Sequence, residues 1–127
     1  MDGWQYTPPD GPLVVLHHDR DLLVLDKPSG LLSVPGRDLA HRDSALSRAA
    51  AQFGAVYAAH RLDLDTSGVL VLATRRKSER DLHRQFRERV PDKRYVAHVD
   101  GVVDDDVGVI DLPLARETGR PRSFVCA

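Results

Sequence analysis

Val69-Leu70-Val71-Leu72-Ala73 is an unbroken apolar run held between Gly68 and the polar Thr74-Arg75-Arg76. So short a run predicts a strand rather than a helix, and its continuous hydrophobicity predicts burial on both faces. A chain containing such a strand must supply neighbours to pair with it and layers to cover it. The apolar segments 13–16 and 22–25 flank His17-His18-Asp19-Arg20-Asp21, a pattern that predicts two strands joined by a polar turn. Lys27-Pro28-Ser29-Gly30 breaks the second strand and Pro35-Gly36 marks another turn, leaving residues 31–34 as a brief extended piece.

Two helices are predicted. Asp43 or Ser44 caps one over residues 45–53, with Leu46, Ala49, Ala50 and Phe53 on one face and Gly54 as the stop. Ser78 and Asp81 have capping-box spacing ahead of a second over residues 79–89, with Leu82 and Phe86 as its apolar pair and Pro91 ending it. Residues 94–99 alternate as a half-buried strand does, and residues 107–112 form another strand candidate after Asp104-Asp105-Asp106. The final stretch, 120–127, reads as a turn leading into an extended segment, as if the chain stopped within a domain. Strands outnumber helices without a βαβ rhythm, so the expected class is α+β, a mixed or antiparallel sheet with flanking helices. The expected organisation is a Pro/Gly-rich arm over residues 1–12 and the N-terminal portion of one domain over 13–127.

Composition excludes several classes of protein. The 127 residues, 42% hydrophobic and 29% charged, suit one soluble domain or part of a larger one. Cys126 is the only cysteine, which rules out an intramolecular disulfide and fits a reducing cytoplasm. No leader-like apolar stretch opens the chain and no long apolar run follows, so neither export nor membrane insertion is expected. His17, His18, His41, His60, His83 and His98 lack zinc-site spacing, and no glycine-rich phosphate loop is present, so no metal is expected.

Chemistry concentrates in His60-Arg61-Leu62-Asp63-Leu64-Asp65-Thr66-Ser67-Gly68, on the approach to the buried strand. Asp63 and Asp65 read equally as turn or capping residues with Arg61 as a surface ion partner, or as reacting carboxylates that share a side if the segment is extended. A glycosidase acid/base pair is weakly suggested, because such pairs require a fixed separation across a sugar. The net charge of −1 announces no nucleic-acid partner, yet Arg75, Arg76, Lys77, Arg80, Arg84, Arg87, Arg89, Lys93 and Arg94 crowd one stretch. Arg80, Arg84 and Arg87 share a helical face that could follow a phosphate backbone, or could be an ordinary solvated surface. Tyr95 could stack on an unpaired base or could pack within a sheet.

His60 through Gly68 resembles the HRLDxxTSG signature of RluA-type pseudouridine synthases. Lys27-Pro28-Ser29-Gly30-Leu31-Leu32-Ser33-Val34-Pro35-Gly36 resembles the upstream KPxG segment of that family, and Lys93-Arg94-Tyr95-Val96-Ala97 its second active-site motif, in the same order. The resemblance runs from about Trp4 onward and is strongest to the short subgroup that modifies both 23S ribosomal RNA and transfer RNA. It implies the pseudouridine synthase catalytic-domain fold, without the S4-like domain of longer relatives and with a C-terminal part missing. It also implies cofactor-free isomerisation of uridine to pseudouridine in an RNA stem-loop, by a cytoplasmic enzyme expected to be a monomer.

Carried over residue by residue, the resemblance makes Asp63 the nucleophile and places Tyr95 on the target uracil. Arg61 would fill the space of the flipped nucleotide, with His60, Arg80, Arg84, Arg87 and Lys93 toward the RNA. Thr66, Ser67 and Gly68 would shape the loop that holds Asp63. Relatives continue into a segment whose arginine pairs with the catalytic aspartate. Its absence from this chain implies an alternative, an inactive RNA-binding remnant.

Overall fold

The computed structural model describes residues 4–118 and 123–126. These divide into two compact units, Met1–Pro91 and Asp92–Ala127, which are taken in turn.

The first unit is built on a four-stranded antiparallel sheet in the order β1-β2-β4-β3, comprising β1 (Val14–His18), β2 (Leu22–Lys27), β3 (Tyr57–Ala58) and β4 (Gly68–Ala73). The expected hairpin is β1 and β2. Its turn is tied by Asp19, whose carboxylate accepts from the Asp21 and Leu22 amides at 2.7 and 2.8 Å and lies 2.6 Å from His17 Nε2. β4 pairs with β2 from Leu22↔Ala73 to Lys27↔Gly68, so the apolar run stands at the centre of the sheet.

One face of the sheet carries the core. Leu23 and Leu25 of β2 and Leu70 and Leu72 of β4 cluster with Leu31, Val56 and Leu62, closed by Ala45 and Ala49 of helix α1 (Ala45–Phe53). The sequence places α1 with its observed bounds. Ser44 is the cap, its hydroxyl accepting from the Ser47 amide, and Gly54 ends the helix at φ 83°. Ala50 faces solvent, so the buried stripe runs through Ala45 and Ala49 with Leu46 and Phe53 at its edge.

The opposite face is covered only in part. Helix α2 (Arg76–Arg87) packs on β4 and β3 immediately after β4 ends, and the Arg76 guanidinium lies 4.1 Å from the centre of the Tyr57 ring. It shelters the Ala73 end of β4, while Val69 at the other end is 57% exposed. Burial of β4 on both faces, expected from its unbroken hydrophobicity, therefore holds at one end only. In an antiparallel sheet the second face can remain in water.

α2 starts three residues earlier than predicted. Ser78 is not its cap: the buried hydroxyl bonds back to the Arg75 amide and carbonyl at 3.3 and 2.9 Å, and Arg75 is the capping residue. The helix stops before Pro91 acts. Arg89 takes φ 56° and the Val90 amide reaches the Gln85 carbonyl at 2.9 Å, a Schellman-type closure of the last turn.

Residues 31–34 are not extended. They form a bent loop whose Leu32 and Ser33 carbonyls accept the first two amides of α1, Ala45 and Leu46, at 2.8 and 3.0 Å. Tyr6 is buried against this loop, its hydroxyl accepting from the Leu32 amide and donating to the Asp43 carbonyl.

In the second unit, β5 (Leu114–Arg116) and β6 (Ser123–Val125) form an antiparallel pair, so the expected final extended segment is present, while the turn ahead of it, residues 119–122, lies outside the described residues. Segments 94–99 and 107–112 are not strands: Val96 is 91% and Ile110 88% exposed, and among the described residues neither segment has a pairing partner. An alternating pattern becomes a strand only where a ladder partner and a surface to cover exist.

Bonding to His17 and to the Asp21 and Leu22 amides holds the Asp19 carboxyl at a pKa of about 2. A lowered carboxyl pKa contributes stability present above the unfolded value near 4 and lost as pH falls from there through about 2. Thermal denaturation followed by circular dichroism between pH 4 and pH 2 should show a steeper fall in Tm for the parent protein than for Asp19→Asn.

Candidate active site

The segment joining β3 to β4 has buried residues alternating with exposed ones, and its ionisable groups fall on the exposed positions. Leu62 enters the core, while Arg61, Asp63 and Asp65 face solvent. The Thr66 amide reaches the Asp63 carbonyl at 3.1 Å, closing a turn over residues 63–66. The extended geometry that would have put Asp63 and Asp65 side by side is therefore not adopted. Gly68 opens β4 at φ 122°, a backbone conformation that a residue with a Cβ rarely adopts.

Both sides of Asp63 are tied to the loop that follows β2. On the N-terminal side, the Ser33 hydroxyl accepts from the Leu62 amide at 2.9 Å and donates to the Leu62 carbonyl at 2.7 Å. On the C-terminal side, the Leu64 carbonyl accepts from the Gly30 amide at 2.8 Å and from Lys27 Nζ at 3.1 Å. Gly30 reaches this position at φ 86°.

Lys27 is 0% exposed, and its ammonium also donates to the Leu31 and Pro28 carbonyls at 2.6 and 3.0 Å. Burial pushes its pKa below the ordinary lysine range, and the nearby charges of Asp65 and Asp63 act in the opposite direction. Lys27 continues the inward-facing series Leu23, Leu25, Lys27, and that period-two pattern was the available sequence signal for its burial.

His60 is held within the fold. Its Nε2 accepts from the Val71 amide at 3.0 Å, and its ring stacks on Phe86 of α2 with centroids 4.5 Å apart. Half-buried, His60 thereby joins β4 and α2. Arg61 forms no ion pair with Asp63 or Asp65 among the described residues and stays exposed. Thr66 closes the turn through its amide, and Ser67 is exposed.

Arg80, Arg84 and Arg87 stand exposed on α2, where Arg84 lies 3.3 Å from Glu88. Lys93 and Tyr95 belong to the second unit, both exposed, Tyr95 at 61%. Among the described residues no group of His, Cys, Asp or Glu is placed to hold a metal ion, and no helix is long and apolar enough to cross a membrane.

Comparison with known proteins converges on one family. The RNA pseudouridylate synthase family profile matches residues 21–124. Over 123 residues the chain is 49% identical to the dual-specificity RNA pseudouridine synthase RluA of Salmonella typhi and 48% identical to that of Escherichia coli strain K12. Each alignment covers 95% of this chain and 56% of the relative, so the chain spans just over half the length of these relatives. The solved structure of human RNA Pseudouridylate Synthase Domain Containing 1 superposes with a TM-score of 0.50 at 27% identity, over 65% of this chain and 31% of the human one.

Replacing Lys27 by Met removes the donor to the Leu31 and Pro28 carbonyls and one of two donors to Leu64. A loss of about 1–3 kcal/mol in unfolding free energy is expected, measured by urea denaturation. Retained stability would mean that water or backbone shifts satisfy those oxygens.

Proposed function

This chain belongs to the RNA pseudouridylate synthase family, and we propose that its Asp63 is the nucleophile with which the protein isomerises uridine to pseudouridine in 23S ribosomal RNA, transfer RNA or both. In that reaction the N1–C1′ bond of the nucleotide breaks, the uracil turns, and C5 is joined to C1′. The proton on C5 leaves and N1 gains one, so substrate and product are isomers and no cofactor is consumed.

The observation that carries this reading is the pairing of exposure with restraint at Asp63. The side chain is open to solvent, whereas the backbone groups of Leu62 and Leu64 on either side are bonded to Ser33, Gly30 and Lys27. A reacting carboxylate needs access to its substrate and a fixed origin, since misplacement by about 1 Å can cost roughly a hundredfold in rate. Among the described residues the Asp63 carboxylate has no hydrogen-bond partner, although its charge acts on Lys27.

The remaining roles follow the chemistry. Arg61, exposed beside Asp63, occupies the gap left by the extruded nucleotide. Tyr95 stacks on the target uracil, and Arg80, Arg84 and Arg87 contact phosphates. The likeness to dual-specificity RNA pseudouridine synthases supports action on more than one RNA, and the resemblance to the short subgroup makes 23S ribosomal RNA and transfer RNA the candidates.

The test is release of tritium from RNA carrying uridine labelled at C5. Asp63→Asn should reduce release by roughly a thousandfold or more while leaving RNA binding in place. Full activity in this variant would remove Asp63 from the role. RNA binding without tritium release by the parent protein would identify a non-catalytic RNA-binding protein instead. Arg80→Ala combined with Arg84→Ala should weaken RNA binding and reduce the slope of log K against log salt by roughly 1 to 2. An unchanged slope would remove the α2 arginines from the phosphate contacts.

A further inference from the structure

We propose that Ser33 is a positioning residue for Asp63, acting through the peptide group that joins Leu62 to Asp63; the inference rests on the reading of Asp63 as the nucleophile. Ser33 is 3% exposed, too deeply placed to meet an RNA, and it lies on the loop between β2 and α1 rather than beside the aspartate in sequence. Its single hydroxyl serves both polar groups of Leu62, donating to the carbonyl at 2.7 Å and accepting from the amide at 2.9 Å. One oxygen thus does the work of a ladder rung where no strand is available.

The geometry makes this bond pair specific to the aspartate. The direction of the Asp63 side chain is set by the two peptide planes that meet at its Cα. The plane before it contains the Leu62 carbonyl, which Ser33 holds, and the plane after it contains the Asp63 carbonyl, which the Thr66 amide holds at 3.1 Å. With both planes fixed, only the side-chain torsions of Asp63 remain free.

Ser33 can act as an anchor because it is anchored itself. Its carbonyl accepts from the Leu46 amide in the first turn of α1 at 3.0 Å, and the adjoining Leu32 bonds to Ala45 and to the Tyr6 hydroxyl. The path from α1 to the aspartate therefore consists of short bonds, buried where Ser33 meets Leu62. A hydroxyl is needed for it, because alanine would leave two buried groups of Leu62 without partners and the segment would shift or admit water.

Three variants of the protein as its gene encodes it test the inference. Ser33→Ala should lower kcat for tritium release about ten- to a hundredfold with the Kd for RNA within about twofold, because the fault is in placement and not in binding. Ser33→Thr keeps the hydroxyl and should restore most of kcat, and Ser33→Cys, a weak donor and acceptor, should fall between. In hydrogen exchange, Ser33→Ala should speed exchange of the Leu62 amide about tenfold or more while the amides of β2 and β4 keep their protection.

A Ser33→Ala kcat within twofold of the parent would overturn the proposal. So would a general loss of protection across the sheet that threonine does not repair, since that marks a packing role. If the parent releases no tritium, the functional reading fails by itself and exchange alone decides the positioning role. Loosening confined to Leu62 and Asp63 sustains it, and unchanged exchange at Leu62 overturns it.

Discussion

A lysine ammonium sealed from water, facing three backbone carbonyls, sets the conformation of the chain around Asp63. Removing a charged group from water is costly, and the bonds to Leu31, Leu64 and Pro28, helped by the charges of Asp65 and Asp63, offset that cost. The lysine can meet all three oxygens only if the turn after β2 folds back over it and the segment before β4 passes close by. Because β2 and β4 are paired from Leu22↔Ala73 to Lys27↔Gly68, the two loops leave the sheet at the same end, already side by side. The ion's demand for ligands thus converts a neighbourly arrangement into a defined one.

That end of the sheet is where the proposed chemistry needs precision, and the division of labour there is physical. Hydrophobic burial of Leu62, Leu70 and Leu31 places the segment to within a side chain's width, since burial has no direction of its own. Hydrogen bonds with fixed geometry then refine it: Ser33 on Leu62, Gly30 and Lys27 on Leu64, Thr66 on Asp63. His60 contributes from the other side by accepting the Val71 amide and stacking on Phe86, which ties the start of the segment to β4 and α2.

The parts legible in the sequence are those whose physics is local. The β1–β2 hairpin follows from two apolar runs about an aspartate-rich turn, and α1 from a serine cap, an apolar stripe and a closing glycine. Asp63 stood out through the motif around it, but its neighbours' bonds did not, because Ser33 and Leu62 are 29 residues apart and no pattern along the chain couples them. Lys27 looked like part of a strand-breaking turn, although its period-two register with Leu23 and Leu25 placed it inward. Residues 94–99 failed in the opposite sense: their alternation is real, yet a strand is a relation between segments, and a segment cannot declare its partner.

On the proposed reading, an exposed aspartate suits a reaction on an RNA nucleotide. A nucleophile buried in the apo protein would have to be uncovered before an RNA-sized substrate could reach it, whereas Asp63 is open and its backbone is already fixed. Water must then be displaced by the substrate itself, and an extruded uracil is large and flat enough to do so. Restraint is supplied beforehand by the bonds of Ser33, Gly30, Lys27 and Thr66. On the proposed reading, the protein therefore meets the entropic cost of alignment during folding, and the RNA supplies the dry surroundings in which the carboxylate reacts.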